Sequence, residues 1–429
     1  MNNNLPPIAG IDVGKKFSQM AVLSPSNTIV AKAKIFHNAS DSINNAVDIL
    51  KRIEKDFAAK PIVVMEATGH YHKTLFYSLN EAGFEVYIIN PLQSNSIKNL
   101  NIRKVKNDKI DAVNIALLFR FQQLRPTNIP NEDLDSLRSL CRSYFNLVDE
   151  LTAYKNRLLA IVDQLMLNFS DVFDNVCSKT ALAVLENYPT PKHILHAKPE
   201  VLIELIRSTS RKNLQWATKK YELLISKAKD FEPLSISTQT NIIMLATYIS
   251  IIKTLNLSLE KVLLEIKELL NADALKDTPV LSPLISLLCT IPGIGLITAA
   301  TILAEIRDIT AFSKPNKLVA FCGLDPSVKE SGQFKGSKNS MSKRGHKLLR
   351  KVLFIVALAN IRKTSNGNKC NPVLYDYYHK KCASKPKMVA LGAVMRKLVL
   401  IIYAVLRDKR PFELRNPEEH AKSLDKSAA

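Results

Sequence analysis

A mixed α/β domain followed by a longer, almost wholly helical chain is the fold class this sequence predicts. Three observations point to it. From Ile8 to Arg120, short apolar runs and amphipathic stretches alternate with turn residues. From about Asp133 to Asn271 the strand signal disappears, and apolar residues recur at alternating steps of three and four. From Ser313 to Arg410, 22 Lys+Arg stand against four Asp+Glu, so +18 of the chain's net +21 lies in one region. With 429 residues, 46% of them hydrophobic, the chain is globular and long enough for two or three cores.

The α/β part follows element by element. Apolar runs at Ile8 to Asp12, Gln19 to Ser24 and Thr28 to Phe36, with Ser24-Pro25-Ser26-Asn27 as a turn, read as a three-strand meander. A helix follows at about Ser42 to Glu54. Next come a buried strand from Pro61 to Met65 that ends on Glu66, a helix from Leu75 to Ala82, a strand from Phe84 to Ile89 and a helix from Asp108 to Phe121. Three strands and then alternating helix and strand describe an RNase H-like domain.

Ligands gather at strand ends in such sheets, and Asp12 and Glu66 each end a strand. Asp108 and Asp111 share one face of the last helix at i and i+3. Four converging carboxylates repel one another unless divalent cations neutralise them. Oxygen ligands suit Mg²⁺ or Mn²⁺, and paired ions assist phosphoryl transfer. Taken singly, Asp108 could be only a helix cap and Glu66 only a surface acid. Between Glu66 and Asp108, Arg103, Lys104, Lys106 and Lys109 could hold a phosphate backbone. A Gly-Ile-Asp-x-Gly strand also opens the actin-like and sugar-kinase ATPases. Against that class, no second glycine-rich phosphate loop follows, and the chain has only 12 glycines.

The helical middle carries two apolar series. One runs from Leu134 through Leu137, Cys141, Tyr144, Val148, Leu151, Leu158 and Val162 to Leu165, broken at Lys155. The other runs from Ile242 through Leu245, Ile249, Ile252, Asn256, Leu259, Leu263 and Ile266 to Leu270. Both predict coiled-coil seams, paired with each other or across a dimer. Asn256 on a core position would fix register, or is a surface residue of a bundle helix. Between the seams, Ser178 to Lys229 is helical, holds the sole Trp216 and shows no chemistry.

Beyond the seams, Leu284 to Thr290, the turn Ile291-Pro292-Gly293-Ile294-Gly295 and Leu296 to Ile306 predict a helix-hairpin-helix. Gly293 and Gly295 would there present backbone N–H groups to a phosphate. A polar loop after Phe321-Cys322-Gly323-Leu324-Asp325-Pro326 holds Ser327, Ser331, Ser337, Ser340 and Ser342 among lysines, and composition alone singles out no nucleophile. Concentrated positive charge favours a polyanion. Nucleic acid is favoured over a membrane surface because no Trp/Phe-rich amphipathic helix is seen. The candidate contacts are Lys15, Lys335, Lys338, Lys343, Arg344, Lys347 and Arg350, together with the basic loop and the two glycines. Six scattered cysteines show no metal-ligand spacing. No apolar run reaches the length of a spanning helix, and the start lacks a leader pattern. The expectation is a soluble, cytoplasmic, nucleoid-associated chain with no membrane partner. The segment from Glu418 to Ala429 reads as a frayed tail.

Three blocks, Gly-Ile-Asp-Val-Gly-Lys at 10 to 15, Met-Glu-Ala-Thr-Gly-His-Tyr at 65 to 71 running on to Ile89-Asn90-Pro91, and Lys-Asn-Asp-Lys-Ile-Asp-Ala at 106 to 112, occur in that order. With Ile291 to Gly295, Ser331-Gly332 and Ser342-Lys343-Arg344-Gly345, the chain resembles the IS-one-ten class of insertion-sequence transposases, which are bridge-RNA-guided DNA recombinases. The resemblance implies a RuvC-like domain over 1–125 whose acidic tetrad is Asp12, Glu66, Asp108 and Asp111. It also implies a helical, dimerising spacer over 126–275, a basic transposase domain over 276–415 and a tail over 416–429. The family's nucleophile precedes a glycine, which puts it on Ser331, with Ser342 as second choice. Double-stranded DNA, a structured guide RNA and a homo-oligomer, a dimer or a tetramer on DNA, are the implied partners. A metal-only Holliday-junction nuclease and a non-catalytic nucleic-acid scaffold are the alternatives.

Overall fold

The computed structural model describes residues 5–66, 69–89, 108–121, 132–236, 238–271, 281–327, 330–331, 334–335 and 340–414. Contacts divide the chain into two units, 1–129 and 130–429. The basic residues Arg103, Lys104, Lys106 and Lys338, the 89–91 block beyond Ile89, and the tail lie outside the described residues, as does the expected boundary at 275/276.

The first unit is a five-stranded sheet with helices on both faces. Its elements are β1 (Ile8–Asp12), β2 (Phe17–Leu23), β3 (Ile29–Phe36), α1 (Ser40–Phe57), β4 (Ile62–Glu66), α2 (His72–Glu81), β5 (Glu85–Ile89) and α3 (Asp108–Phe121). The order is β3-β2-β1-β4-β5, antiparallel through β3, β2 and β1 and parallel through β1, β4 and β5. This is the RNase H-like arrangement expected. β2 begins two residues earlier than predicted because Phe17 pairs with Phe36. One face buries Ala9, Ile11, Val63 and Met65 with Leu50 of α1 and Leu75 of α2. The other buries Ile8, Leu23, Val64 and Ile89 with Ile115 and Leu118 of α3. Alternation along each strand thus sends even-numbered residues of β1 and β4 toward α3.

The second unit is mostly helical. A 35-residue α4 (Glu132–Met166) is followed by five shorter helices, α5 (Phe169–Val172), α6 (Lys179–Asn187), α7 (Pro191–Leu195), α8 (Pro199–Ser210) and α9 (Leu214–Phe231), and then by α10 (Gln239–Asn271). α4 and α10 pack antiparallel within one chain. Leu158, Val162 and Leu165 meet Leu245, Ile249 and Ile252 at one end, while Leu137 and Cys141 share a core with Ile266 and Leu270 at the other. Asn256 is only half-buried.

The rest of this unit comprises α11 (Leu281–Cys289), α12 (Leu296–Ile306), α13 (Pro315–Phe321), the ribbon β6 (Glu330–Ser331) and β7 (Phe334–Lys335), α14 (Lys347–Asn360), α15 (Pro372–Cys382) and α16 (Lys387–Asp408). Two helices, Gln239–Leu270 and Lys387–Asp408, have the length and mean hydropathy (1.6 and 2.1) of a membrane-crossing segment, which corrects the expectation that no apolar run is long enough. Packing accounts for α16, since nine of its residues, from Leu391 to Leu406, are buried in the core it shares with α12 and α14. α10 leaves Ile243, Leu257 and Leu264 more than half exposed.

Candidate active site

Sheet register brings the first two acids together. Ile11 of β1 pairs with Met65 of β4, so the next residues, Asp12 and Glu66, stand side by side on parallel strands about 4.8 Å apart. Both belong to the even-numbered set facing α3. Glu66 is buried and Asp12 half-buried.

A glycine fixes how α3 reaches them. A Cβ on Gly10 would lie 2.1 Å from the Ala112 carbonyl oxygen and 2.7 Å from the Ala116 nitrogen, so the helix backbone rests directly on β1. At the far end of α3, Arg120 donates to the carbonyls of Pro6 and Ser24, and Phe119 packs edge-on against Tyr87 at 4.6 Å. α3 therefore runs antiparallel to β1, and its first turn, with Asp108 and buried Asp111, lies toward the Asp12 end. The side chains of Asp108 and Lys109 are outside the described residues. Among the described residues no group of three or more His, Cys, Asp or Glu side chains stands at metal-binding spacing. An all-oxygen donor set with two buried carboxylates suits a hard divalent cation. Lys15 is exposed in the turn after β1.

The serine loop is a ribbon on a stem. Ser327 N–H donates to the Ser340 carbonyl (2.7 Å), Pro326 bridges Met341, Ser342 N–H donates to the Asp325 carbonyl (2.8 Å), and His346 N–H donates to the Phe321 carbonyl (2.7 Å). On this stem Glu330 pairs with Lys335 and Ser331 with Phe334. Ser331 thus ends the first strand of the ribbon. The Ser342 hydroxyl donates to Asp325 Oδ1 at 2.6 Å and accepts from the Arg344 N–H at 3.3 Å, so it clips the stem shut. Two glycines let the strands touch. Gly323 has φ +68°, and a Cβ on Gly345 would lie 2.3 Å from its nitrogen. Arg350, expected to contact nucleic acid, sends Nη1 to the Cys322 carbonyl (3.2 Å) and pins the stem, whereas Lys343, Arg344 and Lys347 are exposed. Burial pushes the Cys322 thiol up to about 12.

The turn expected to hold a phosphate is partly used for packing. Gly293, at φ +79°, faces α14: a Cβ there would meet that of Ala359 at 2.9 Å. Asn360 Nδ2 donates to the Pro292 carbonyl (2.7 Å), and Asn371 Nδ2 donates to Asn360 Oδ1 (2.9 Å), so a buried amide relay ties the turn to α14 and α15. Gly295, the N-cap of α12, has open space around it.

Sequence reasoning missed a buried ion cluster. Glu305, on apolar α12, accepts from Arg138 Nε (2.8 Å), from Arg142 Nε (2.5 Å) and Nη2 (3.0 Å), and from His346 Nε2 (3.0 Å). His346 Nδ1 accepts the Leu349 N–H as the cap of α14, so the ring proton sits on Nε2. Burial alone would raise the Glu305 carboxyl. Hydrogen bonds from His346 and Arg142 and the charge of Arg138 outweigh it and hold the group well below the usual carboxylate range. The available signal was one acid inside an apolar helix together with two arginines spaced i, i+4 on α4.

Residues 9–167 match the DEDD_Tnp_IS110 transposase model, and residues 285–379 match the transposase IS116/IS110/IS902 family. The chain is 25% identical over 417 residues to the "Insertion element IS110 uncharacterized 43.6 kDa protein" of Streptomyces coelicolor, covering 95% of this chain and 96% of that one. It is 36% identical over 139 residues to the pilin gene-inverting protein of Moraxella bovis, covering 32% and 41%. Thermus thermophilus RuvC bound to a Holliday junction overlaps 29% of this chain and 100% of its own at 14% identity and a TM-score of 0.22.

Proposed function

The chain belongs to the IS110 family of transposases, and from that premise we propose that it is a DNA transposase/recombinase that cuts and rejoins strands through a covalent serine intermediate, aided by a divalent cation on its acids. The observation that carries the reading is the sheet register that sets Asp12 beside Glu66 under the helix bearing Asp108 and Asp111. The serine ribbon in the same chain supports the second half.

In this reading Ser331 Oγ attacks a DNA phosphorus. Its proton passes to a base, the Ser331–phosphate bond forms, and the bond to the leaving deoxyribose oxygen breaks, with that oxygen taking up a proton. The phosphodiester energy is kept in the serine linkage, so a second DNA hydroxyl can displace Ser331 and rejoin the strand. Asp12, Glu66, Asp108 and Asp111 would hold Mg²⁺ or Mn²⁺. Such an ion would draw charge from a phosphate oxygen. Lys343, Arg344 and Lys347, exposed after the ribbon, hold the DNA backbone together with Lys335 of the ribbon and Lys338 beyond it in sequence. Guidance by a structured RNA and action as a dimer or larger oligomer complete the proposal. The exposed Ile243, Leu257 and Leu264 of α10 support self-association.

The test is strand exchange on DNA carrying the element's ends, with co-purified nucleic acid retained. Ser331→Ala and Asp12→Asn should each lower exchange by at least about a hundredfold. Intact cleavage in Ser331→Ala with loss in Asp12→Asn would replace the reading with a metal-only junction nuclease.

A further inference from the structure

Among the described residues, the face of the first sheet that α3 covers is only partly covered. α3 packs on β1, β2 and β4, while the same face of β3 carries exposed Lys32, Lys34 and Phe36. Cross-strand pairing aligns these with the acids. Asp12 pairs with Gln19, and Gln19 pairs with Lys34; one row away, Phe17 pairs with Phe36. Lys34 is thus two strands from Asp12, about 10 Å, on one surface.

Lys34 Nζ sits 3.9 Å from the Phe17 ring centroid and 4.9 Å from that of Phe36, and the two rings are 6.1 Å apart. Phe36 is 42% exposed. Beside them an open groove of about 320 Å³ is lined by Gln19, Met20, Ala21, Lys32, Ala33 and Lys34. Lysines on an edge strand do blunt unwanted strand pairing. That role calls for charge, and it leaves the exposed Phe36 and the half-buried Phe17 beside the lysines unexplained.

We propose that this strip binds an unpaired DNA strand running toward the acidic centre, with a base stacked on Phe17 and Phe36 and the flanking phosphates on Lys32 and Lys34. Aromatic rings interleaved with cations fit single strands because every base offers a π-face, whereas a duplex hides its bases in the stack. The inference rests on the strand-cutting role proposed above and names the form its DNA takes near Asp12.

A test that needs no chemistry keeps the two claims apart. Full-length protein is irradiated with single-stranded DNA carrying 5-iododeoxyuridine, digested with trypsin, and mapped. The proposal predicts crosslinks in the peptides Phe17–Lys32 or Ile35–Lys51 and an about tenfold lower yield in Phe17→Leu/Phe36→Leu. Lys32→Gln/Lys34→Gln, which alters only exposed side chains, should flatten the salt dependence of binding by one to two units of the log–log slope, on the order of 0.7 per lost phosphate contact. No crosslink in either peptide, equal yield from duplex DNA, or better competition by single-stranded RNA than by DNA would overturn the proposal. Any of these would leave the Ser331 test standing, and loss of exchange in Ser331→Ala would not rescue the strip.

Discussion

The acidic end of the sheet and the serine ribbon are held in different ways. Asp12 and Glu66 are placed by long runs of paired backbone and by a helix lying flat on Gly10, so their positions follow from the register of three strands. Ser331 stands on a two-residue strand whose stem depends on a glycine contact, one serine clip and one arginine. A site built on register keeps its backbone geometry when its own side chains are changed and loses it when the packing beneath it fails. A site on a stem is sensitive to small changes several residues away. In the proposed function, an all-oxygen metal centre needs fixed ligands, whereas a serine nucleophile that must reach and release DNA suits a ribbon.

Substitutions at four positions would break or sharpen this contrast. Gly10→Val has the largest expected effect, because any Cβ collides with the α3 backbone. It should destabilise the first unit by about 3 kcal/mol or more, read by thermal or urea unfolding, while the second unit keeps its transition.

Glu305→Ala should cost the second unit about 2 kcal/mol. This is less than the roughly 3–5 kcal/mol of a fully enclosed pair, because Arg142 keeps 45% of its side chain in solvent. The pH dependence has a definite sign. The folded-state Glu305 carboxyl lies below its ordinary 4.5, so its stabilisation is fully present above pH 4.5 and is lost as pH falls toward the folded value. The wild type should lose stability below about pH 4.5 more steeply than Glu305→Gln does.

Gly323→Ala puts a side chain at φ +68° against Gly345 and should cost about 2 kcal/mol. Its sharper readout is loss of strand exchange with the first unit's melting unchanged. Ser342→Ala removes one hydrogen bond to Asp325 and should cost about 1 kcal/mol, lowering exchange severalfold without abolishing it. Complete loss there, with the second unit's melting unchanged, would point to Ser342 as the nucleophile.

The first unit was largely legible because its strands are short apolar runs between turn residues and its acids end them. Asp12 and Glu66 are visible in sequence for the same reason that register later brings them together. The stem was not legible. Gly323, Gly345 and the Ser342 clip join segments on either side of the serine loop, and nothing local announces such a contact. Gly293 looked like a phosphate-binding glycine because a turn and a close packing contact ask for the same residue. Asn360 and Asn371 were invisible because a buried amide relay has no periodicity. α16 reads as apolar apart from its ends and Arg396-Lys397 because ten of its residues are enclosed by protein.

The central claim, that Ser331 carries the DNA during exchange, is tested most directly by trapping protein on DNA, denaturing, digesting with nuclease and trypsin, and locating the peptide that bears a nucleotide. Trypsin puts Ser331 alone in Glu330–Lys335, Ser337 in Gly336–Lys338, and Ser340 with Ser342 in Asn339–Lys343. The account predicts the nucleotide on Glu330–Lys335. A nucleotide on Asn339–Lys343, or DNA cut with no nucleotide on any peptide, would contradict it.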